Sequence, residues 1–372
     1  MTVRLATPEE LADWDSRTVD PPGGHVYQSL AWAEHRSRSG WDAVHLIDDA
    51  DGAAALALTR PWPWIGGSSA YLPRGPVAAG ATPERLAERV AAMTDWLAGH
   101  GADVVATDAE VEAETGYGAL LRARGFHAIP EIQPSRHRIS LPLPADADEE
   151  MIRAAIGKST RQRIKAAEKT DLQVARHDTA GWSGEDGPDA GDDARPFAPP
   201  ARPIDEALDA FYTLLEGTGD RRGFRFGPRA AFVPWWRLAH DAGHLVYLEA
   251  HEAGALIGGL ILYRHGDRLS TVHSADAPSA RQEHPGVMHL LRWRAIQLAL
   301  REGRREMDLG GVDIGPDHRE PGEGDPMAGL YEHKRSFGAS WVEMSGAHER
   351  VIRPWRGRVG RVSARVARLL PR

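Results

Sequence analysis

The order of segments between Leu245 and Leu309 limits the fold more than any other feature of the chain. Leu245 to His251 and Leu256 to Arg264 are strand-forming runs around the turn Glu252-Ala-Gly254, and Arg268 to Ser274 is a third. Gly286 to Glu302 has helical spacing and stops at Gly303; Glu306 to Leu309 returns to a strand pattern. Strand, turn, strand, strand, helix, strand is the signature of a mixed α/β unit. The first part of the chain has a similar rhythm. A helix is expected over Val26 to Gly40, then strands Asp42 to Ile47 and Ala53 to Arg60 around an Asp-rich turn. Thr82-Pro-Glu opens a helix with Leu86, Val90, Met93 and Leu97 on one face; strand Val104 to Thr107 and helix Tyr117 to Gly125 follow. Ile139 to Leu143 alternates and closes this part.

At 372 residues the chain is too long for one ordinary core, so two domains are expected, over 1–145 and 146–345, with a basic tail over 346–372. The second domain starts with a long basic helix over Glu149 to Thr170. Composition then changes sharply: Asp178, Glu185, Asp186, Asp189, Asp192 and Asp193 meet no Lys or Arg before the Pro-rich run to Pro203. Such a stretch buries too little apolar surface to order itself, so 178–203 reads as a flexible insertion. Helices are expected again over Ile204 to Glu216 and Pro228 to Ala242, and a last strand over Trp341 to Met344.

The absence of cysteine excludes thiolate metal sites, disulfides and a cysteine nucleophile. A formal net charge of -8 excludes a uniformly basic nucleic-acid binder but not local basic segments. No apolar leader and no run long enough to span a bilayer is visible, which points to a cytoplasmic protein. Common catalytic motifs fail. Gly157-Lys-Ser-Thr160 resembles the end of a phosphate loop, but the required earlier glycine is Ile152 and the expected context is a helix interior. There is no Gly-x-Ser-x-Gly elbow, and His240 and His244 flank Gly243 at a helix end, which disfavours a metal pair.

Several blocks, taken in order, resemble the FemABX family of aminoacyl-tRNA-dependent transferases that build peptidoglycan bridges. They are Val26-Tyr-Gln-Ser-Leu-Ala-Trp32-Ala-Glu-His-Arg36 with Gly40-Trp41, Tyr71-Leu-Pro-Arg-Gly-Pro-Val77, and Ile132-Gln-Pro134 leading to Ile139-Ser-Leu141. Thr160-Arg-Gln-Arg-Ile-Lys-Ala-Ala-Glu-Lys169, Thr218-Gly-Asp-Arg221-Arg-Gly-Phe224, Met307-Asp-Leu-Gly-Gly-Val312 and Gly329-Leu-Tyr-Glu-His-Lys334-Arg-Ser-Phe-Gly338 complete the series. Each block is weak alone; their shared order over nearly the whole chain is specific. The resemblance implies two GNAT-like acyltransferase domains, each a mixed sheet flanked by helices (an α/β, or α+β, class). It implies no metal and no cofactor, with aminoacyl-tRNA as co-substrate. The common GNAT loop for acetyl-CoA pyrophosphate, Arg/Gln-x-x-Gly-x-Gly/Ala, is missing.

The reaction so implied is attack of an amine on an activated ester, which needs positioning and a stabilised oxyanion more than a covalent nucleophile. Lys334 matches the family lysine and is the catalytic candidate; His333 stands where the family has Phe. Arg36 and Arg221 match positions that hold a precursor diphosphate, a task suited to the planar guanidinium fork. Tyr71 and Arg74 flank the Pro-Arg-Gly-Pro turn and are further substrate-binding candidates. Val77-Ala-Ala-Gly80 offers no carboxylate as a base. Lys158, Arg161, Arg163 and Lys165 on the basic helix, and Arg353, Arg356 and Arg358 in the tail, are candidates for tRNA or phosphate contact. The tail also carries apolar Trp355, Val359, Val362 and Val366, so tRNA and anionic membrane are both open as its partner. Asp308 is expected to hold the following glycine loop, and Trp62 and Trp64 to be exposed.

The expected activity is transfer of Gly, Ala or Ser from aminoacyl-tRNA to a stem-peptide amine of a lipid-linked or nucleotide-linked cell-wall precursor. Leu269-Ser-Thr-Val-His273-Ser-Ala-Asp276 lacks the tyrosines frequent in bridge-forming enzymes, which keeps open a small-molecule amine acceptor in natural-product assembly. An acyl-CoA-dependent GNAT enzyme is the third alternative.

Overall fold

The computed structural model describes residues 2–77, 80–133, 135–179, 197–222, 226–278, 280–312 and 318–369. The chain divides into two units, Met1–His137 with Val342–Arg372, and Arg138–Trp341. The first boundary thus falls earlier than 145, and the segment expected as a separate tail belongs to the first unit.

In chain order the strands are β1 Val3–Leu5, β2 Asp42–Asp48, β3 Ala53–Pro61, β4 Ser68–Leu72, β5 Ala102–Thr107, β6 His127–Ala128 and β7 His137–Pro142. They continue as β8 Gln173–His177, β9 Leu245–Glu252, β10 Ala255–His265, β11 Arg268–Asp276, β12 Glu306–Asp308, β13 Ser340–Glu343 and β14 His348–Val351. One seven-stranded sheet has the order β1-β2-β3-β4-β5-β14-β6 and the other β13-β7-β12-β11-β10-β9-β8. Each begins as an antiparallel meander and then makes a parallel crossover, β4 to β5 and β11 to β12. The mixed sheets and flanking helices are the α/β class expected.

The crossover helices explain why each sheet holds together. Pro83–Gly99 starts where the Thr82 hydroxyl accepts from the Arg85 N–H, with proline in the first turn. Its buried face of Leu86, Val90, Met93 and Leu97 packs on the first core. Val287–Arg301 is sunk deeper, with Leu291, Trp293, Ala295 and Ile296 all fully buried. Burying each such large apolar side chain stabilises by about 1.5–3 kcal/mol.

Three local expectations change. The single helix over 149–170 is two, Glu149–Ala155 and Lys158–Ala167. Gly157 breaks it because its N–H donates to the Ser336 carbonyl (2.8 Å), a partner remote in sequence. The helix expected from Val26 is a 3₁₀ turn, Val26–Gln28, followed by helix Leu30–Ser37 capped by Ser29. The 178–203 insertion falls mostly in 180–196, outside the described residues, but its ends are docked. The Asp178 side chain is buried and accepts from Arg176 (2.9 Å) and Arg264 (2.6 Å); Phe197 is buried, and the Ala198 N–H pairs with Val174 O at 2.7 Å.

Candidate functional site

In the second unit, helix Ala328–Arg335 buries Lys334 to 5% exposure. Its Nζ donates to the carbonyls of Gly310 (2.9 Å) and Gly311 (2.8 Å). The loop that offers them is fixed by Asp308, whose Oδ1 accepts from the Gly310 N–H at 2.8 Å, the role expected for it. Gly310 must be glycine: its φ is +75°, and an added Cβ would stand 2.6 Å from the Thr271 carbonyl oxygen. Burial, reinforced by the charge of Arg292, pushes the Lys334 ammonium down to about 7 against the pull of Asp308. Arg292 is 2% exposed on the crossover helix and was not foreseen; nothing near it in the sequence marks it.

His333 lies beside this lysine, with Nδ1 3.1 Å from His289 Nε2 and its ring edge-on to both His289 and Phe337. Burial and neighbouring arginines hold both imidazoles neutral, His289 down to about 4 and His333 further. The basic helix Lys158–Ala167 is tied to the same place by the Gly157–Ser336 bond and by Thr160 Oγ1 to Ser336 Oγ at 2.7 Å. Lys158, Arg163 and Lys165 are exposed on it. Arg161 instead turns back to the carbonyls of Ala154 and Ile156 (2.8 Å each), closing the end of the preceding helix. Gly157-Lys-Ser-Thr160 therefore starts a helix rather than lying inside one, but a helix, not a strand, precedes it. Arg221 is on helix Ile204–Arg222, where Nη2 donates to the Asp276 carbonyl (2.5 Å), Asp276 Oδ1 and Thr218 Oγ1 (3.1 Å each).

The first unit carries a second constellation. Arg36, on helix Leu30–Ser37, lies between the rings of Trp32 (5.4 Å) and Trp41 (5.2 Å). Among the described residues its buried Nε has no hydrogen-bond partner. Tyr71 donates its hydroxyl proton to Asp108 Oδ2 (2.8 Å) and accepts from Gln133 Nε2 (3.2 Å). The Arg74 backbone N–H donates to Asp108 Oδ1 (2.7 Å), and its guanidinium Nε stands 3.7 Å from Asp108 and 3.8 Å from Glu110. Burial opposes the Arg74 charge, but these carboxylates outweigh it and raise its pKa. Burial raises the Asp108 pKa, with Arg74 opposing. Tyr71 and Arg74 thus spend their polar groups inside the unit. Asp108 was not foreseen, although it follows β5 as Asp308 closes β12.

Gln28, from the first resembling block, is a clasp. Its amide accepts from Leu56 N (2.7 Å) and donates to Leu56 O (3.2 Å) and Pro73 O (2.6 Å), with Gly75 packed so closely that a Cβ would meet it at 2.6 Å. Arg353 and Arg356 pair with buried Asp103 at 3.2 and 3.6 Å, whereas Arg358 is exposed. Trp62, expected outside, is buried with its indole N–H on Asp103 (3.0 Å); Trp64 is 70% exposed.

Residues 158–335 match the family described as Acetyltransferase (GNAT) domain. Lipid II:glycine glycyltransferase of Staphylococcus aureus is 25% identical over 242 residues, which is 62% of this chain and 51% of that protein. The chain therefore spans about half the length of the curated relatives it matches. The crystal structure of FemX has a similar fold, with a TM-score of 0.75 and 17% identity over 97% of this chain and 100% of that one. The C-terminal domain of a putative lysylphosphatidylglycerol synthetase from Agrobacterium fabrum has a TM-score of 0.52 and 13% identity, covering 96% of each chain. Domain match, relatives and fold agree with the ordered sequence blocks: the chain has a GNAT-like fold and is similar to proteins of the FemABX kind.

Proposed function

We propose that the chain is an aminoacyltransferase that moves Gly, Ala or Ser from aminoacyl-tRNA to a stem-peptide amine of a peptidoglycan precursor. The amine nitrogen attacks the ester carbonyl, the C–O bond to the tRNA breaks, and an amide forms. The observation that carries this reading is Lys334. An ammonium has three N–H donors, and among the described residues two are spent on Gly310 and Gly311, which leaves one for a developing oxyanion. Its low-dielectric setting magnifies that contact, and the glycine loop fixes its place before substrate arrives.

The exposed Lys158, Arg163 and Lys165, on the helix bonded to the Lys334 helix, fit the phosphates of the donor RNA. Arg36, its planar face held by two indoles and its Nε open, fits a phosphate of the acceptor. Arg221 brings only the N–H groups not spent on Asp276 and Thr218. A second reading keeps the donor but gives it a small-molecule amine. It rests on β11, where His273 is surrounded by Phe226, Phe232 and Trp236, and burial pushes its imidazole down to about 4.

Reconstitution tests this. The protein is incubated with charged tRNA and lipid-linked or nucleotide-linked muropeptide, with and without RNase. An RNase-sensitive aminoacylated muropeptide that disappears with Lys334→Met is expected. Product only with a small amine selects the second reading; RNase-resistant product from acyl-CoA overturns both.

A further inference from the structure

The helix Pro354–Leu369 has three distinct sides, one of which packs closely on the first unit. Its inner side is made of small residues. Gly357 and Gly360 let it close onto the unit: a Cβ on Gly360 would stand 2.3 Å from the Trp62 ring, and one on Gly357 2.9 Å from Val104. Ser363 is buried on the same side. The opposite side carries Trp355 (77% exposed), Val362 (59%), Val366 (45%) and Leu369 (84%), with Val359 between them. The spacing of 355, 359, 362, 366 and 369 aligns them in one stripe along the helix. Arg358, Arg361 and Arg365 form the flank beside that stripe. Arg361 donates from Nη2 to both carboxylate oxygens of Glu349 at 2.8 Å, while Arg358 and Arg365 are exposed and form no ion pair among the described residues.

A helix held by its small-residue side, with an apolar stripe and an arginine flank turned to solvent, has the composition of an interfacial helix. Beside it, the β3–β4 turn packs against the helix through Trp62 and Arg356, and its tip exposes Trp64 (70%) and Ile65 (36%). Tryptophan favours the level of lipid headgroups, and arginine stems lie along apolar surface while their heads reach phosphate. Charge argues against a second copy of this helix as the occupant, because residues 350–372 contain no Asp or Glu to meet the partner's arginines. Phosphate of RNA would satisfy the arginines but leave the aliphatic stripe wet.

We infer that this face is a membrane-docking surface, seated on a bilayer rich in anionic headgroups through the Trp355–Leu369 stripe, the adjoining Trp64 tip and the Arg358/Arg365 flank. The inference stands independently of the proposed transfer reaction.

The full chain is sedimented with vesicles of phosphatidylcholine alone and of phosphatidylcholine with phosphatidylglycerol, at low and high salt. Binding confined to the anionic vesicles and weakened by salt is expected. Each basic residue near an anionic surface changes partitioning about fivefold, so Arg358→Glu with Arg365→Glu lowers it by at least about 25-fold, while Arg358→Lys with Arg365→Lys retains it. Val362→Glu with Leu369→Glu abolishes binding at an unchanged melting temperature, since both side chains face solvent. Failure to bind either vesicle overturns the inference, as does binding insensitive to these substitutions. Concentration-dependent dimers that Val362→Glu dissolves would assign the stripe to a second copy, and tRNA binding lost with the arginine variants, without vesicle binding, would assign the flank to RNA.

Discussion

The two sheets reach the same station by the same route and finish it differently. In the first unit β4, a long helix and β5 end at Asp108; in the second β11, a long helix and β12 end at Asp308. Asp108 is consumed by the Tyr71 hydroxyl and by the backbone and charge of Arg74. Asp308 holds a glycine N–H and leaves the position beside it to Lys334, which burial keeps close to losing its proton. One crossover end is a lock made of opposite charges. The other stores a charge with no carboxylate hydrogen-bonded to it among the described residues, and the proposed reactivity rests on that second arrangement.

This contrast breaks or sharpens under substitution. Asp108→Ala takes the nearer carboxylate from the buried Arg74 charge and lowers stability by about 3–5 kcal/mol in denaturant unfolding; Asp308→Ala removes the bond to the Gly310 N–H and costs about 1 kcal/mol. Equal losses would erase the distinction. Lys334→Met reduces transfer by about 10²–10³-fold, as loss of one oxyanion donor does, without lowering the melting temperature. Gly310→Ala, at φ +75° and against the Thr271 carbonyl, costs about 1–2 kcal/mol and slows transfer further by moving the Lys334 anchor. Its counterpart Gly75→Ala strikes the Gln28 clasp and lowers stability.

The smallest effect is a pH dependence. With its pKa lowered to about 7, native Lys334 sheds its proton before the unfolded chain does. Stability therefore rises with pH from about 7 towards the unfolded lysine pKa, and the cost of the buried charge is complete below about 7. Unfolding of wild type and Lys334→Met across pH 6–10 checks this: the rise must be smaller in the variant. The residual activity of the variant also loses any titration near pH 7.

The meander, both crossover helices and Lys334 were legible because their signals are local: alternation, helical spacing, and a short block around the lysine. Gly157 was not, since Ser336 breaks that helix from the far side of the fold. The substrate roles expected of Tyr71 and Arg74 depended on neighbours such as Asp108 and Glu110, which no spacing rule brings together. Arg353 and Arg356 read as free cations until buried Asp103 was placed beneath them. Trp62 read as exposed between its prolines because nothing local announces Gly360 above its ring.

The strand β14 has a consequence for how the protein is made. Val351 pairs with Val104, and β14 separates β5 from β6, so the first sheet is completed by a strand translated after the whole second unit. Closure over so long a loop is slow, and until it happens β5 presents an open edge to other nascent chains. A chain that ended before residue 348 would carry the whole second unit and a first unit still waiting for its seam.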